Sequence, residues 1–205
     1  MNTPTVFIVD DDEAVRDSLA MLCEATGLSV QTYPDAESFL ADFHPEHEGC
    51  IILDVRMSGM NGPQLHAELK RRDNHLPIIY LTAHGDIPMT VRAMKDGAVD
   101  FLTKPVVADE LLERIQDALK RHCDWSVRQE KRNQRCQWLG RLTPREKAVM
   151  KLIVAGKHNK EIGRQLGISY RTVELHRSRV LDKSGVTSPL ELAQLALDCG
   201  IDTPT

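Results

Sequence analysis

Five side chains of this chain are of types that together handle a phosphoryl group: Asp10, Asp11, Asp54, Thr82 and Lys104. Asp54 ends the run Cys50-Ile51-Ile52-Leu53, and Asp10, Asp11 and Asp12 follow Val6-Phe7-Ile8-Val9. Thr82 follows Pro77-Ile78-Ile79-Tyr80-Leu81, and Lys104 comes just after Val99 to Leu102. Continuous apolar runs of this length suit strands covered on both faces. In an open parallel sheet, ligands bind beyond the carboxyl ends of the strands. Carboxylates gathered at one such edge repel, and their pKa values rise unless a cation sits among them. A hard dication with oxygen ligands resolves that conflict, and Mg²⁺ is the natural choice. A plain solvated acidic end would account for Asp10 to Asp12 alone, but not for an ammonium and a hydroxyl at the same edge. A carboxylate nucleophile can form an aspartyl phosphate, while Mg²⁺ and lysine neutralise charge on the transferring oxygens.

These groups meet only if the strands are parallel neighbours, and the pattern between them supports this. Glu13 to Ala25 has helical spacing and stops at Gly27; Leu28 to Tyr33 reads as a strand. Asp35 is placed to cap a short helix to Phe43. Gly59 and Gly62 flank a turn before a helix from Pro63 to Arg72, and a further helix spans Ile87 to Asp96 and ends at Gly97. Five alternations of strand and helix predict a doubly wound, five-stranded parallel sheet of the α/β class.

From Asp109 the pattern is helical, with Leu111, Leu112, Ile115, Leu119 and Cys123 on one face. The basic stretch up to Arg141 has no glycine before Gly140 and no proline, unlike a flexible linker. It reads as the same helix running on, solvated; a frayed connection is the alternative. Thr143-Pro144-Arg145-Glu146 and Ser188-Pro189-Leu190-Glu191 are capping boxes. Between them lie helices from Lys160 to Leu166 and from Tyr170 to Lys183, joined by Gly167-Ile168-Ser169. Four short helices predict a small all-α unit with helix-turn-helix spacing. The expected divisions are residues 1–122, a helical linker over 123–140, and 141–205.

Charge divides the same way. Residues 1–120 hold 10 Lys+Arg against 21 Asp+Glu, and residues 121–205 hold 16 against 9, within a net charge of −4. An acidic half joined to a basic half suggests different partners, nucleic acid for the basic one. No apolar run approaches the roughly 20 residues that span a bilayer, and the N-terminus lacks the features of a secretory signal. Five scattered cysteines (Cys23, Cys50, Cys123, Cys136, Cys199) without a CxxC pair point to unpaired thiols in a reducing cytosol. A cytoplasmic location is therefore expected.

Val9-Asp10-Asp11, Leu53-Asp54-Val55-Arg56-Met57, Thr82-Ala83 and Lys104-Pro105 resemble the signature set of two-component receiver domains, with His84-Gly85-Asp86 through Lys104-Pro105 closest to the FixJ type. The resemblance covers about residues 4 to 122. It implies a flavodoxin-like receiver in which Asp54 is the phosphoacceptor. Asp11, Asp54 and the backbone carbonyl of Arg56 would ligate Mg²⁺, with Asp10 acting through a water. Lys104 would pair with the phosphoryl group and Thr82 would hydrogen-bond it, while Phe101 occupies the position of the family's rotating aromatic. Ser58 stands where proline is usual, which predicts a less rigid loop after Asp54. Asn61 replaces a common aspartate and Val106 an aromatic.

Asn159-Lys160-Glu161-Ile162, Leu166-Gly167-Ile168-Ser169 and Thr172-Val173-Glu174-Leu175-His176 resemble LuxR-type DNA-binding domains over about residues 139 to 200. Gly163 stands where alanine is usual and is expected to loosen its helix; Ser184 replaces a usual hydrophobe. The helix opening at Tyr170 would enter the major groove. Glu174, Leu175 and Ser178 are the candidates for base edges. Lys160, Arg171, Thr172, Arg177, Arg179 and Lys183 are the candidates for phosphate contacts. Val173, Val180 and His176 are expected to face inward.

The combined expectation is a response regulator of transcription and not an enzyme. A sensor histidine kinase would phosphorylate Asp54, and the chain would dimerise and bind double-stranded promoter DNA, an activator by analogy, with RNA polymerase a further candidate partner. Two alternatives stay open on the residues: an Mg²⁺-dependent phosphotransferase acting on small molecules, and a DNA binder indifferent to phosphorylation.

Overall fold

The computed structural model describes residues 3–83 and 100–201. The helix expected over 87–96, with His84-Gly85-Asp86, Gly97 and Val99, lies outside the described residues. The chain divides into two compact units, Met1–Trp125 and Ser126–Thr205.

The first unit holds β1 (Thr5–Val9), α1 (Glu13–Ala25), β2 (Ser29–Tyr33), α2 (Ala36–Asp42), β3 (Gly49–Asp54), α3 (Gly62–Arg71), β4 (Ile78–Thr82), β5 (Asp100–Thr103) and the start of α4 (Ala108–Cys136). The strands form one parallel sheet in the order β2-β1-β3-β4-β5. The predicted α/β class and strand number hold. Alternation along each strand sends side chains to opposite faces. Val6, Ile8, Cys50 and Ile52 pack with Leu19 and Cys23 of α1 and with Leu111, Ile115 and Ala118 of α4. Phe7, Val9, Ile51 and Leu53 pack with Phe39 of α2 and with Leu65 and Leu69 of α3. β3 is buried along its whole length, which is why its sequence is continuously apolar up to the carboxylate.

The second unit holds the end of α4, a 3₁₀ turn (Gln137–Arg141), α5 (Pro144–Val154), α6 (Asn159–Leu166), α7 (Tyr170–Ser184) and α8 (Pro189–Asp198). α4 runs unbroken to Cys136, and the reading of one solvated helix through Arg141 is corrected only at its end, where Gln137–Arg141 form the 3₁₀ turn. The 3₁₀ turn drives Trp138 into the core formed by Val149, Ile153, Ile162, Val173, Val180 and Leu192. Burial of the large indole decides the local backbone where charge alone suggested a solvated helix.

The expectation of unpaired cysteines is corrected at two positions. Cys136 at the end of α4 and Cys199 at the C-cap of α8 form a disulfide with Cα atoms 5.6 Å apart. It lies beside an ion pair of Arg135 with Asp198 at 2.8 Å. The two cysteines are 63 residues apart, and tertiary packing of two helix ends, invisible in local spacing, brings them together. Cys23 and Cys50 are buried and Cys123 is exposed.

α5 begins with a capping box in which Thr143 and Glu146 satisfy each other's backbone amides. Glu146 is itself buried and also accepts from Lys183 at 2.6 Å. The Lys183 ammonium, then the Thr143 amide, hold the Glu146 carboxyl down at about 2, against an ordinary 4.5. Its folded value is depressed, so this stabilisation is present above about pH 4.5 and is lost as pH falls toward 2. Lys183→Met is expected to destabilise the second unit by about 3 kcal/mol, the low end of the range for breaking a buried pair because Lys183 is partly exposed. Urea melts at neutral pH check this. The variant should also show a shallower decline in stability than wild type across that acid window, because the Lys183 part of the Glu146 stabilisation is gone.

Candidate functional site

The register places the site. Val9 pairs with Leu53, and Asp54 with Leu81, so Asp10, at the end of β1, and Asp54 lie on neighbouring strands. Thr82 pairs with Thr103, which sets Lys104 just past the same edge. The Lys104 amide donates to the Thr82 carbonyl at 2.6 Å, and the Lys104-Pro105 bond is cis.

The Lys104 ammonium donates to Asp10 Oδ2 at 2.5 Å and to Asp54 Oδ1 at 2.8 Å. The Arg56 amide donates to Asp54 Oδ2 at 2.8 Å, and the Asp12 amide to Asp10 Oδ1 at 3.1 Å. Asp12 itself caps α1 through the amides of Ala14 and Val15, which removes it from the site. The Asp10 carboxylate, Asp54 and Thr82 are buried, and Asp11 is exposed. One carboxylate oxygen from each of Asp10, Asp11 and Asp54 falls within 4.8 Å of the others. Three hard oxygen donors at that spacing, one solvent-facing, fit Mg²⁺, which keeps several waters. Burial pushes the Asp54 carboxyl up, and its bonds with Lys104 only partly offset this. Burial works against the Lys104 ammonium, but its bonds to Asp10 and Asp54 outweigh that and raise it.

Two supporting contacts have no signal in the sequence. Arg16 Nη1 donates to the Asp10 carbonyl at 2.7 Å, tying α1 to the end of β1. Gly62, first residue of α3, lets that helix approach β3: a Cβ there would meet the Asp54 carbonyl oxygen at 2.4 Å. Gly62→Ala is expected to cost about 1–3 kcal/mol by overpacking against backbone, read as a lower urea midpoint with an unchanged slope. Phe101 is half-buried, pairs in register with Tyr80 and packs on the core cluster that contains Leu53.

In the second unit, α6 ends at Gly167, whose φ of 64° suits the left-handed cap, and Ser169 caps α7. Gly163 sits where Ile168 folds back; a Cβ would meet the Ile168 carbonyl oxygen at 2.8 Å. The glycine thus serves close packing of the turn, where the sequence pattern suggested only a loosened helix. Val173 and Val180 are fully buried and His176 is half-buried. On α7, Arg171, Glu174, Leu175, Ser178 and Arg179 are exposed, as is Lys160 on α6. Leu175 is 51% exposed, an apolar side chain offered to solvent.

Three expected contacts are otherwise engaged. Thr172 closes the α7 cap with Ser169, its Oγ1 lying 2.8 Å from the Ser169 hydroxyl. Arg177 is half-buried and donates to Asn159 Oδ1 at 3.1 Å, bracing α7 against α6. Lys183 donates to Glu146 and to the Arg141 carbonyl, ties that hold it against α5. No local signal marks the Arg177 and Lys183 ties, because each joins residues on different elements that packing brings together.

Residues 6–116 match the family described as the response regulator receiver domain, and residues 140–196 match bacterial regulatory proteins of the luxR family. The transcriptional regulatory protein TdiR of Thauera aromatica is 41% identical over 207 residues, covering 97% of this chain and 91% of its own. The transcriptional regulatory protein FixJ of Azorhizobium caulinodans is 40% identical over 196 residues, 96% of this chain and 93% of its own. The solved structure of the response regulator StyR superposes with a TM-score of 0.72 at 42% identity, covering 96% of this chain and 99% of StyR.

Proposed function

This chain belongs to the two-component response regulators that join a receiver domain to a LuxR-type DNA-binding domain, and from that membership we propose that phosphorylation of Asp54 by a sensor histidine kinase switches it to a DNA-binding dimer. The observation that carries this reading is the Lys104 ammonium bonded to both Asp10 and Asp54 at the carboxyl edge of the sheet, with Asp11 alongside.

Asp54 is the nucleophile. Its carboxylate oxygen attacks phosphorus, the bond to the kinase histidine nitrogen breaks, and that nitrogen keeps the electron pair. Asp11, Asp54 and the Arg56 carbonyl would hold Mg²⁺, with Asp10 acting through a water; the bound ion supplies charge neutralisation for the transferring oxygens. Lys104 moves its donation from carboxylate to phosphoryl oxygen, and Thr82 hydrogen-bonds another. The movement of Thr82 makes room for Phe101 to turn inward, a shift of population whose size follows from how unequally the phosphoryl group binds the two states.

α7 enters the major groove with Glu174, Leu175 and Ser178 toward base edges, and Lys160, Arg171 and Arg179 toward phosphates. Thr172 and Arg177 serve that face chiefly by fixing α7. One such module offers a small interface, so pairing two copies on adjacent half-sites raises affinity and specificity. The regulator acts as an activator in the cytoplasm, with RNA polymerase as the further partner; among the described residues no helix is long and apolar enough to cross a membrane.

Light scattering with Mg²⁺ and beryllofluoride, an acyl-phosphate mimic, tests the switch. A rise toward dimer mass in wild type but not in Asp54→Ala is expected. An unchanged mass in wild type contradicts dimerisation by the receiver.

A further inference from the structure

We propose that the backbone amide of Ser58 is a positioning group for the Asp11 carboxylate and sets the affinity of the site for Mg²⁺. The inference rests on the metal-site reading above and goes beyond it. The Ser58 amide donates to Asp11 Oδ2 at 2.8 Å, across 47 residues of sequence. It is the contact that joins the loop after β3 to the loop after β1 at the acidic edge. The loop's own position is fixed one residue earlier, where Met57 is buried in the core. A buried neighbour thus aims an exposed amide.

The other two carboxylates are held by burial and by two hydrogen bonds each: Asp10 by Lys104 and the Asp12 amide, Asp54 by Lys104 and the Arg56 amide. Asp11 is exposed, and among the described residues its Oδ1 carries no hydrogen bond. A carboxylate has about four lone-pair sites, so the Ser58 amide occupies one and leaves Oδ1 for a cation. The amide then lowers the ordering cost of Asp11 without competing for the ligating oxygen. Partners of this kind behind a metal ligand are typically worth 10–100-fold in metal affinity.

The side chain of Ser58 is not required, but its N–H is. This separates two substitutions: Ser58→Ala keeps the amide hydrogen, and Ser58→Pro removes it. Mg²⁺ titrated calorimetrically into the full chain should bind Ser58→Ala as tightly as wild type, and Ser58→Pro about tenfold more weakly. Melts of both variants in EDTA report any separate loss of fold. Amide hydrogen exchange on wild type and Asp11→Ala adds an arm independent of proline. Without Mg²⁺, the Ser58 amide should exchange faster in Asp11→Ala, and Mg²⁺ should slow it further in wild type only. Equal Mg²⁺ affinity in Ser58→Pro and Ser58→Ala, or equal Ser58 exchange in wild type and Asp11→Ala, overturns the proposal while the metal site stands. Absence of Mg²⁺ binding in wild type overturns the metal-site reading and the proposal with it.

Discussion

Asp54→Asn is expected to take up no phosphoryl group from a small acyl phosphate donor under conditions where wild type is labelled. The substitution keeps the size of the side chain and its capacity to accept from the Arg56 amide, so the sheet edge should persist. The amide is not a nucleophile, and removing the nucleophile removes the covalent route altogether. Labelled phosphate retained after acid precipitation, or an intact-mass shift, checks the outcome. Asp10 and Asp11 do not substitute, because Asp10 is already tied to Lys104 and the Asp12 amide, and Asp11 lies on the solvent side of the cluster. Labelling of Asp54→Asn near wild-type level would mean that another residue is the acceptor.

Lys104→Ala is expected to have the second largest effect, and it has two parts. The rate of labelling by acyl phosphate should fall by about 10²–10³-fold, the range seen when one preorganised electrostatic donor is removed from a reacting centre. Stability should change in a diagnostic way as well. Lys104 is the cation that offsets Asp10 and Asp54, both nearly buried. Without it the two carboxylates face each other uncompensated, which is destabilising by several kcal/mol for a buried pair. Mg²⁺ can restore part of that compensation, so the thermal midpoint of Lys104→Ala should rise more with added Mg²⁺ than that of wild type. Calcium or magnesium chloride compared with sodium chloride at equal ionic strength separates site binding from general screening.

The sheet and the reacting groups were legible in the sequence for one physical reason. A strand buried on both faces has to be apolar throughout, so Cys50 to Leu53 and Val6 to Val9 declare themselves, and the polar residue that ends each run falls at the edge where ligands bind. The helices of the second unit were legible through their caps: Thr143 with Glu146, and Ser188 before Pro189, sit at the observed helix starts. What stayed hidden depends on contacts between distant residues. Trp138 enters the core through a 3₁₀ turn that its basic surroundings disguise. Cys136 meets Cys199 only once α4 and α8 have packed. Lys183 read as a surface cation because its partner, Glu146, is 37 residues away and on another helix. Ser58 read as a loss of rigidity, whereas its amide ties the loop to Asp11. Backbone donors carry no sequence signature, so a tie of this kind follows only from coordinates.

The switch also has to satisfy an energetic requirement. Turning a mostly inactive population into a mostly active one requires the phosphoryl group to favour the active arrangement by about 10⁴-fold. In the proposed switch, Lys104, Thr82 and the residues that would hold Mg²⁺ would make the contacts, and Phe101 would transmit the change.

Control of DNA binding by the occupancy of Asp54 is open to test in a selection from random sequence. The full chain is incubated with a pool of random duplex DNA at fixed salt, with Mg²⁺ alone or with Mg²⁺ and beryllofluoride, and the retained DNA is quantified and sequenced for wild type and Asp54→Asn. Sequence-enriched retention in wild type with beryllofluoride, and weak unenriched retention in the other three cases, is the predicted result. The same enriched sequences retained equally in all four cases would contradict the account, and would make the receiver a fixed part of a DNA-binding protein that does not respond to phosphate.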